Sequence, residues 1–295
     1  MPLKKISYML FLLVLTVALA DCKPSTERAS ESSSDTDEAT ALMQPAETAD
    51  AADAGERSKW MEIPKTLRGD KGVILNRVGY TTSYNAENKI PNWVAWRLTS
   101  NHVKGRYGRD FMEFHEDMDV KAPRAEDGDY YTSGYDRGHM CPSGDNKWSN
   151  EAQEQSFLFT NICPQRHGLN AGAWNDVEMQ CREWAKRYGT LYIVCGPVLY
   201  QQEHRAIGRH RVVVPEAFFK VILRKENANY KAIGFVYENR SAKRDMSRYV
   251  RSIDEIEELT GLDFFSLLPD DVENTIEASS NLRDWYPLMD FDRYN

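Results

Sequence analysis

The chain of 295 residues carries 37 Lys and Arg against 45 Asp and Glu, a formal net charge of −8. Ten of the acidic and five of the basic residues lie at or before Arg57, so the remainder, with 32 basic and 35 acidic residues, is close to neutral. Such a balance excludes the uniformly basic body of a protein that coats nucleic acid, and leaves room only for a local basic groove.

Lys4 and Lys5 precede an apolar run from Ile6 to Ala20. That run is shorter than the roughly 20 apolar residues of a membrane span and suits the h-region of a signal peptide. Leu19-Ala20-Asp21-Cys22 resembles a bacterial lipobox, so residues 1–22 are expected to be a signal peptide ending at a lipid-acceptor Cys22. Asp21 stands where that pattern has a small residue, and simple cleavage or an uncleaved anchor stay open as alternatives. The expected location is outside the cytoplasm: anchored to the cell envelope, or else periplasmic or secreted. Residues 23–57 are rich in Ser, Thr, Ala, Asp and Glu, with too little apolar surface to offset the entropy of ordering, and are read as a disordered acidic tether. Residues 58–295 form the expected folded domain.

Val73 to Tyr80 and Tyr84-Asn85 read as β, and Asn92 to Leu98 alternates as a strand does. Gly105 to Gly128 is read as a long surface excursion. Ser149-Asn150-Glu151 starts a short helix, and Phe157 to Thr160 is expected to be a buried strand delivering Asn161. Apolar residues recur at helical spacing from Ala173 to Tyr188, with Gly189 as the stop. Leu191 to Pro197, Arg211 to Pro215, Phe218 to Leu223 and Tyr230 to Tyr237 supply further strands; Ser252 to Gly261 is a capped helix, and a closing loop and helix run through Leu268 to Glu277. With no internal repeat, this pattern predicts one α+β domain with a central, mostly antiparallel sheet flanked by helices.

The stretch most suited to chemistry is Tyr135-Asp136-Arg137-Gly138-His139-Met140-Cys141-Pro142-Ser143. Imidazole can take and return a proton near neutral pH, and a guanidinium offers a planar fork of donors for phosphate. A second segment follows, Phe159-Thr160-Asn161-Ile162-Cys163-Pro164-Gln165, and then Leu169-Asn170 with Trp174 and Glu178 downstream. Asn170 sits just before the first turn of the predicted helix; at about 100° per residue Glu178 is rotated by roughly 80° from it, so both can lean toward one cleft.

Together, DRGHM, TNICPQ and the LN…W…E spacing resemble the non-specific DNA/RNA endonuclease family, which includes secreted bacterial nucleases and mitochondrial endonuclease G. The resemblance covers roughly Ile63 to Glu257 and implies a ββα-metal nuclease fold. It also implies hydrolysis of DNA and RNA phosphodiesters with little base preference, leaving 5′-phosphates, and the family is often dimeric. On its motif, His139 is the general base and Asn170 the direct ligand of Mg²⁺, for which Mn²⁺ can substitute. Glu178 holds the ion's water shell, Arg137 contacts the phosphate, and Asn161 and Asp136 brace the site; His139, Arg137, Asn161 and Glu178 make up the catalytic set. The readings set against it are a non-catalytic lipoprotein that binds nucleic acid or protein with the same fold, and a phosphodiesterase acting on small substrates.

Cys141, Cys163, Cys181 and Cys195 all fall in the catalytic region. In an exported protein they permit two disulfides in three connectivities, with free buried thiols as the alternative. Cys163 and His167 hint at zinc, but no second close ligand pair completes a site. Arg209-His210-Arg211 and Lys243-Arg244 are read as candidates for a nucleic-acid path or as solvated surface.

Overall fold

Four long runs of β-branched and aromatic residues, Ile90–Leu98 (β4), Leu191–Val198 (β7), Ala217–Glu226 (β10) and Asn229–Glu238 (β11), form the centre of one seven-stranded sheet. The computed structural model describes residues 59–67, 71–227 and 229–286; the expected signal peptide, Cys22 and the tether lie outside them. Short N-terminal strands are Lys65–Thr66 (β1), Val73–Asn76 (β2) and Thr81–Asn85 (β3), while Val250–Arg251 (β12) lies at the other edge. In the order β12-β11-β10-β7-β4-β3-β2, every pairing in this sheet is antiparallel.

Strand periodicity sends alternate residues of β10 to opposite faces. Phe218 and Ile222 join the core on the side of the catalytic motifs, whereas Phe219, Val221 and Leu223 join a second core on the other side. Both faces are therefore covered, which is why the central strands read as nearly continuous apolar runs. The helix Asn175–Tyr188 covers the first face through Val177, Cys181, Trp184 and Ala185. The second is covered by Ile253–Thr260, whose Ile253 and Ile256 join that core, and by Asp270–Glu277. The helices are labelled α1 (Asn150–Gln155), α2 (Asn175–Tyr188), α3 (Ile253–Thr260) and α4 (Asp270–Glu277).

Local signals hold where they carry specific chemistry. Ser149 caps α1 by accepting from Ala152 N. Ser252 and Glu255 form a capping box on α3, and Gly261 ends that helix at φ 73°. Two readings need correction. Val73 to Tyr80 is not one strand, because Arg77 N bonds Tyr80 O at 2.8 Å and turns the chain between β2 and β3. Phe157 to Thr160 is not a strand either: Phe159–Asn161 is a single helical turn, and the strand Ile162–Gln165 (β6) starts only after it. Strand pairing there is limited to one parallel bridge of Leu158 with His115, and the apolar run mainly reflects burial; Phe157, Leu158 and Phe159 are all buried.

All four cysteines within the described residues are free and buried, which resolves the disulfide question in favour of thiols. Among the described residues no helix is long and apolar enough to cross a membrane.

Candidate active site

A two-stranded ribbon outside the main sheet carries the catalytic motif: Asp136–His139 (β5) pairs antiparallel with β6. Gly138 faces Cys163, and a Cβ at Gly138 would lie 2.6 Å from the Gln165 Cβ, so only glycine allows this approach. After β6 the chain makes a wide helical turn over Leu169–Trp174 that breaks at Gly172 (ψ −117°) and then runs into α2. The order β5, β6, α2 is the ββα unit that the motifs imply. Because of the break, Asn170 and Glu178 are not on one continuous helix and the rotation of roughly 80° does not apply. Both nonetheless line the same cleft of about 640 Å³, together with Arg137 and His139.

His139 stands against two rings, with its centroid 5.3 Å from Phe114 and 4.9 Å, edge-on, from Phe157. Its Nε2 is sealed from solvent and has no hydrogen-bond partner. Burial, and to a smaller degree the Arg109 charge, push the imidazole down to about 3, so the ring is neutral at pH 7.

Asn170 Nδ2 donates to Asp136 Oδ2 at 3.0 Å. A carboxylate can only accept, so this bond fixes the amide with its NH₂ on Asp136 and its oxygen turned away. His167 Nδ1 lies 2.8 Å from the same carboxylate oxygen, and its side chain is 80% exposed. Cys163 is fully buried, and among the described residues neither it nor His167 joins a cluster of three side chains able to hold a metal, so no zinc site forms there. Asn170 does not cap a helix with its side chain, which removes the simplest structural explanation for it.

Asn161 is fully buried and holds only main-chain groups: its Oδ1 accepts from Cys141 N at 2.9 Å, and its Nδ2 donates to Cys141 O and Ser156 O. It does not line the cleft. Its amide locks the chain two residues beyond His139. Arg137 lines the cleft while its Nε and Nη2 bond Asp127. The Phe114, Tyr130 and Tyr131 rings stand 5.5–5.6 Å from its guanidinium carbon.

Glu178 is pushed up to about 7, first by burial, against the pull of Lys220 and Arg182. Lys220 is itself buried, with its ammonium 4.9 and 4.6 Å from the Trp96 and Trp174 rings. Arg182 is anchored to the buried Asp145 at 2.8 Å, and Trp96 Nε1 donates to the other oxygen of Asp145. Carboxylate and amide oxygens beside an open cleft, with no thiolate among its lining residues, suit a hard divalent cation such as Mg²⁺ that keeps several waters.

A model of the DNA/RNA non-specific endonuclease family matches residues 59–271. The chain belongs to that family. It is 32% identical over 231 residues to mitochondrial nuclease EXOG of Danio rerio, covering 73% of this chain and 66% of the relative. To nuclease C1 of Cunninghamella echinulata it is 33% identical over 219 residues, covering 68% and 86%. The chain spans 56% to 66% of the length of the four vertebrate EXOG relatives. The crystal structure of an EndoG/EndoGI complex is similar with a TM-score of 0.64 at 27% identity, covering 68% of this chain and 88% of that one.

Beyond the motif residues, Arg109, Lys147 and Arg182 also line the cleft wall. Arg182 could have been found four residues after Glu178, on the same face of α2. Arg109 and Lys147 sit in irregular chain and carry no periodic signal. Arg209, Arg211, Lys243 and Arg244 do not line the cleft, and Arg244 is bound to Asp176.

Proposed function

We propose that this chain is a metal-dependent endonuclease that hydrolyses the phosphodiester bonds of DNA and RNA, with His139 as general base and Mg²⁺ held by Asn170. The observation that carries the reading is the convergence on one cleft of a neutral imidazole, an amide oxygen oriented by Asp136, and the Arg137 guanidinium. When bound, Mg²⁺ supplies Lewis-acid neutralisation of the phosphate and the leaving oxygen.

His139 is neutral and so can take a proton from water. With Nε2 enclosed by aromatic rings, Nδ1 is the nitrogen left to meet that water. A free-state value near 3 makes a weak base, but a phosphate entering beside the ring offsets Arg109 and raises proton affinity as the substrate arrives. Arg137 keeps Nη1 for the phosphate while Asp127 holds its other nitrogens. Contacts of this kind go to the backbone and carry no base identity, in keeping with action on both polymers. The Glu178 carboxylate and the Asn170 oxygen supply the donors for the ion and its waters.

The direct test is digestion of plasmid DNA and of single-stranded RNA with Mg²⁺ or Mn²⁺ and with EDTA. Cleavage of both polymers that EDTA abolishes supports the reading; cleavage unchanged by EDTA, or inertness with every divalent ion, refutes it. Export with a lipid on Cys22 belongs to the same proposal and rests on the Leu19-Ala20-Asp21-Cys22 segment. Labelling with a fatty-acid analogue, lost in Cys22→Ser, tests it separately.

A further inference from the structure

On the face of the sheet opposite the cleft, α3 and α4 bring carboxylates together. One oxygen each from Asp254, Glu257 and Glu277 lies within 4.8 Å of the others. Glu277 is only 6% exposed, and its Oε1 has no hydrogen-bond partner. Glu273, one turn earlier on α4, likewise has a buried Oε1 without a partner. Glu257 Oε1 accepts from Phe264 N at 2.7 Å, which fixes that side chain and leaves its second oxygen for another partner.

A buried carboxylate without a counter-charge is costly, so something must neutralise this group. Among the described residues Asp254, Glu257 and Glu277 form no ion pair with Lys, Arg or His; Lys65 pairs with neighbouring Asp263 at 3.9 Å and is itself 63% exposed.

We propose that Asp254, Glu257 and Glu277 form a Ca²⁺ site that clamps α3 to α4. The donors are all carboxylate oxygens, which excludes the nitrogen and sulfur preference of zinc. Ca²⁺ accepts a flexible arrangement of six to eight oxygen ligands, whereas Mg²⁺ demands a near-ideal octahedron and is usually held through one or two carboxylates, so a set of three carboxylates suits Ca²⁺. Burial is graded from exposed Asp254 through Glu257 to buried Glu277, so an ion entering from solvent meets a charged ligand first and an enclosed one last. Ca²⁺ here fixes the packing of two helices and is independent of the nuclease reading.

The test is thermal unfolding of the full chain in EDTA and in CaCl₂, for wild type, Glu277→Gln and Asp254→Asn. Ca²⁺ is expected to raise the wild-type Tm by several degrees, a shift lost in Glu277→Gln and reduced in Asp254→Asn. In EDTA, Glu277→Gln is expected to melt close to wild type, because a neutral amide of the same shape replaces the carboxyl group. Nucleic-acid cleavage in Mg²⁺ should be the same in all three proteins. An equal Ca²⁺ shift in all three would overturn the proposal, since the ion would then act elsewhere. So would a wild-type Tm that does not respond to Ca²⁺, which would leave a proton as the species neutralising Glu277. Asp254 is exposed, so Asp254→Asn decides the matter even if Glu277→Gln fails to fold.

Discussion

Asp136 holds Asn170 by its amide nitrogen, 3.0 Å from Oδ2, and so determines that the amide oxygen is free for a cation. The two residues are 34 positions apart, joined by the pairing of β5 with β6 and the wide turn that follows. Asp136→Ala should weaken Mg²⁺ binding by roughly 10- to 100-fold, as loss of an orienting partner behind a ligand does elsewhere. Saturating Mg²⁺ should restore most of the rate. A Mg²⁺ titration of cleavage checks this; an unchanged half-saturating concentration would mean that the amide orients itself.

Asn161→Ala should act on stability before chemistry. It removes three hydrogen bonds to buried main-chain groups, each with a desolvation cost of about 1–3 kcal/mol when orphaned. A loss of roughly 4 kcal/mol and about 10 °C in Tm is expected for a domain of this size. Calorimetry measures it, and a shift under about 2 °C would show that Asn161 braces nothing.

His139 also gives acid sensitivity with a definite sign. Its folded value of about 3 lies below the unfolded value of about 6.5, so as pH falls through 6.5 the unfolded chain takes up a proton first. Stability is then lost between about pH 6.5 and 3, at up to about 1.4 kcal/mol per pH unit from this group. Denaturant melts of wild type and His139→Gln over that window should diverge, with the flatter profile in the variant. Parallel profiles would mean that the ring takes up its proton in the folded protein as readily as in the unfolded chain.

The buried thiols should be inert. Burial pushes Cys181 and Cys195 up to about 12, and Cys141 and Cys163 are also fully buried and raised. In a Cys22→Ser chain, a small aromatic disulfide reagent should find no reactive thiol in the native state and four after unfolding. Fewer than four after unfolding would point to a disulfide.

The sequence made much of this legible because strand and cap signals are local. The Ser252 capping box, the Gly261 stop and the apolar runs of β7, β10 and β11 each depend on residues within one element. The break at Gly172 was not legible, since the wide turn before α2 depends on Trp174 packing against Phe218 and Tyr237 from distant strands. Within the site, His139, Arg137, Asn170 and Glu178 could be named from motif spacing. The motif resemblance gave Asn161 a bracing role, but only the fold shows that its amide is spent on Cys141 and Ser156. Lys220 was invisible for a related reason: a lysine inside an apolar strand gives no hint of the Trp96 and Trp174 rings beside it.

The measurement that bears most directly on the central claim is the single-turnover rate of plasmid nicking in Mg²⁺ for wild type and His139→Ala, with DNA binding and Tm recorded for both. Loss of a general base predicts a rate lower by about 10²- to 10⁴-fold with binding little changed. If His139→Ala keeps its fold and nicks DNA within a few-fold of the wild-type rate, His139 is not the base and the chemistry assigned to this cleft is wrong.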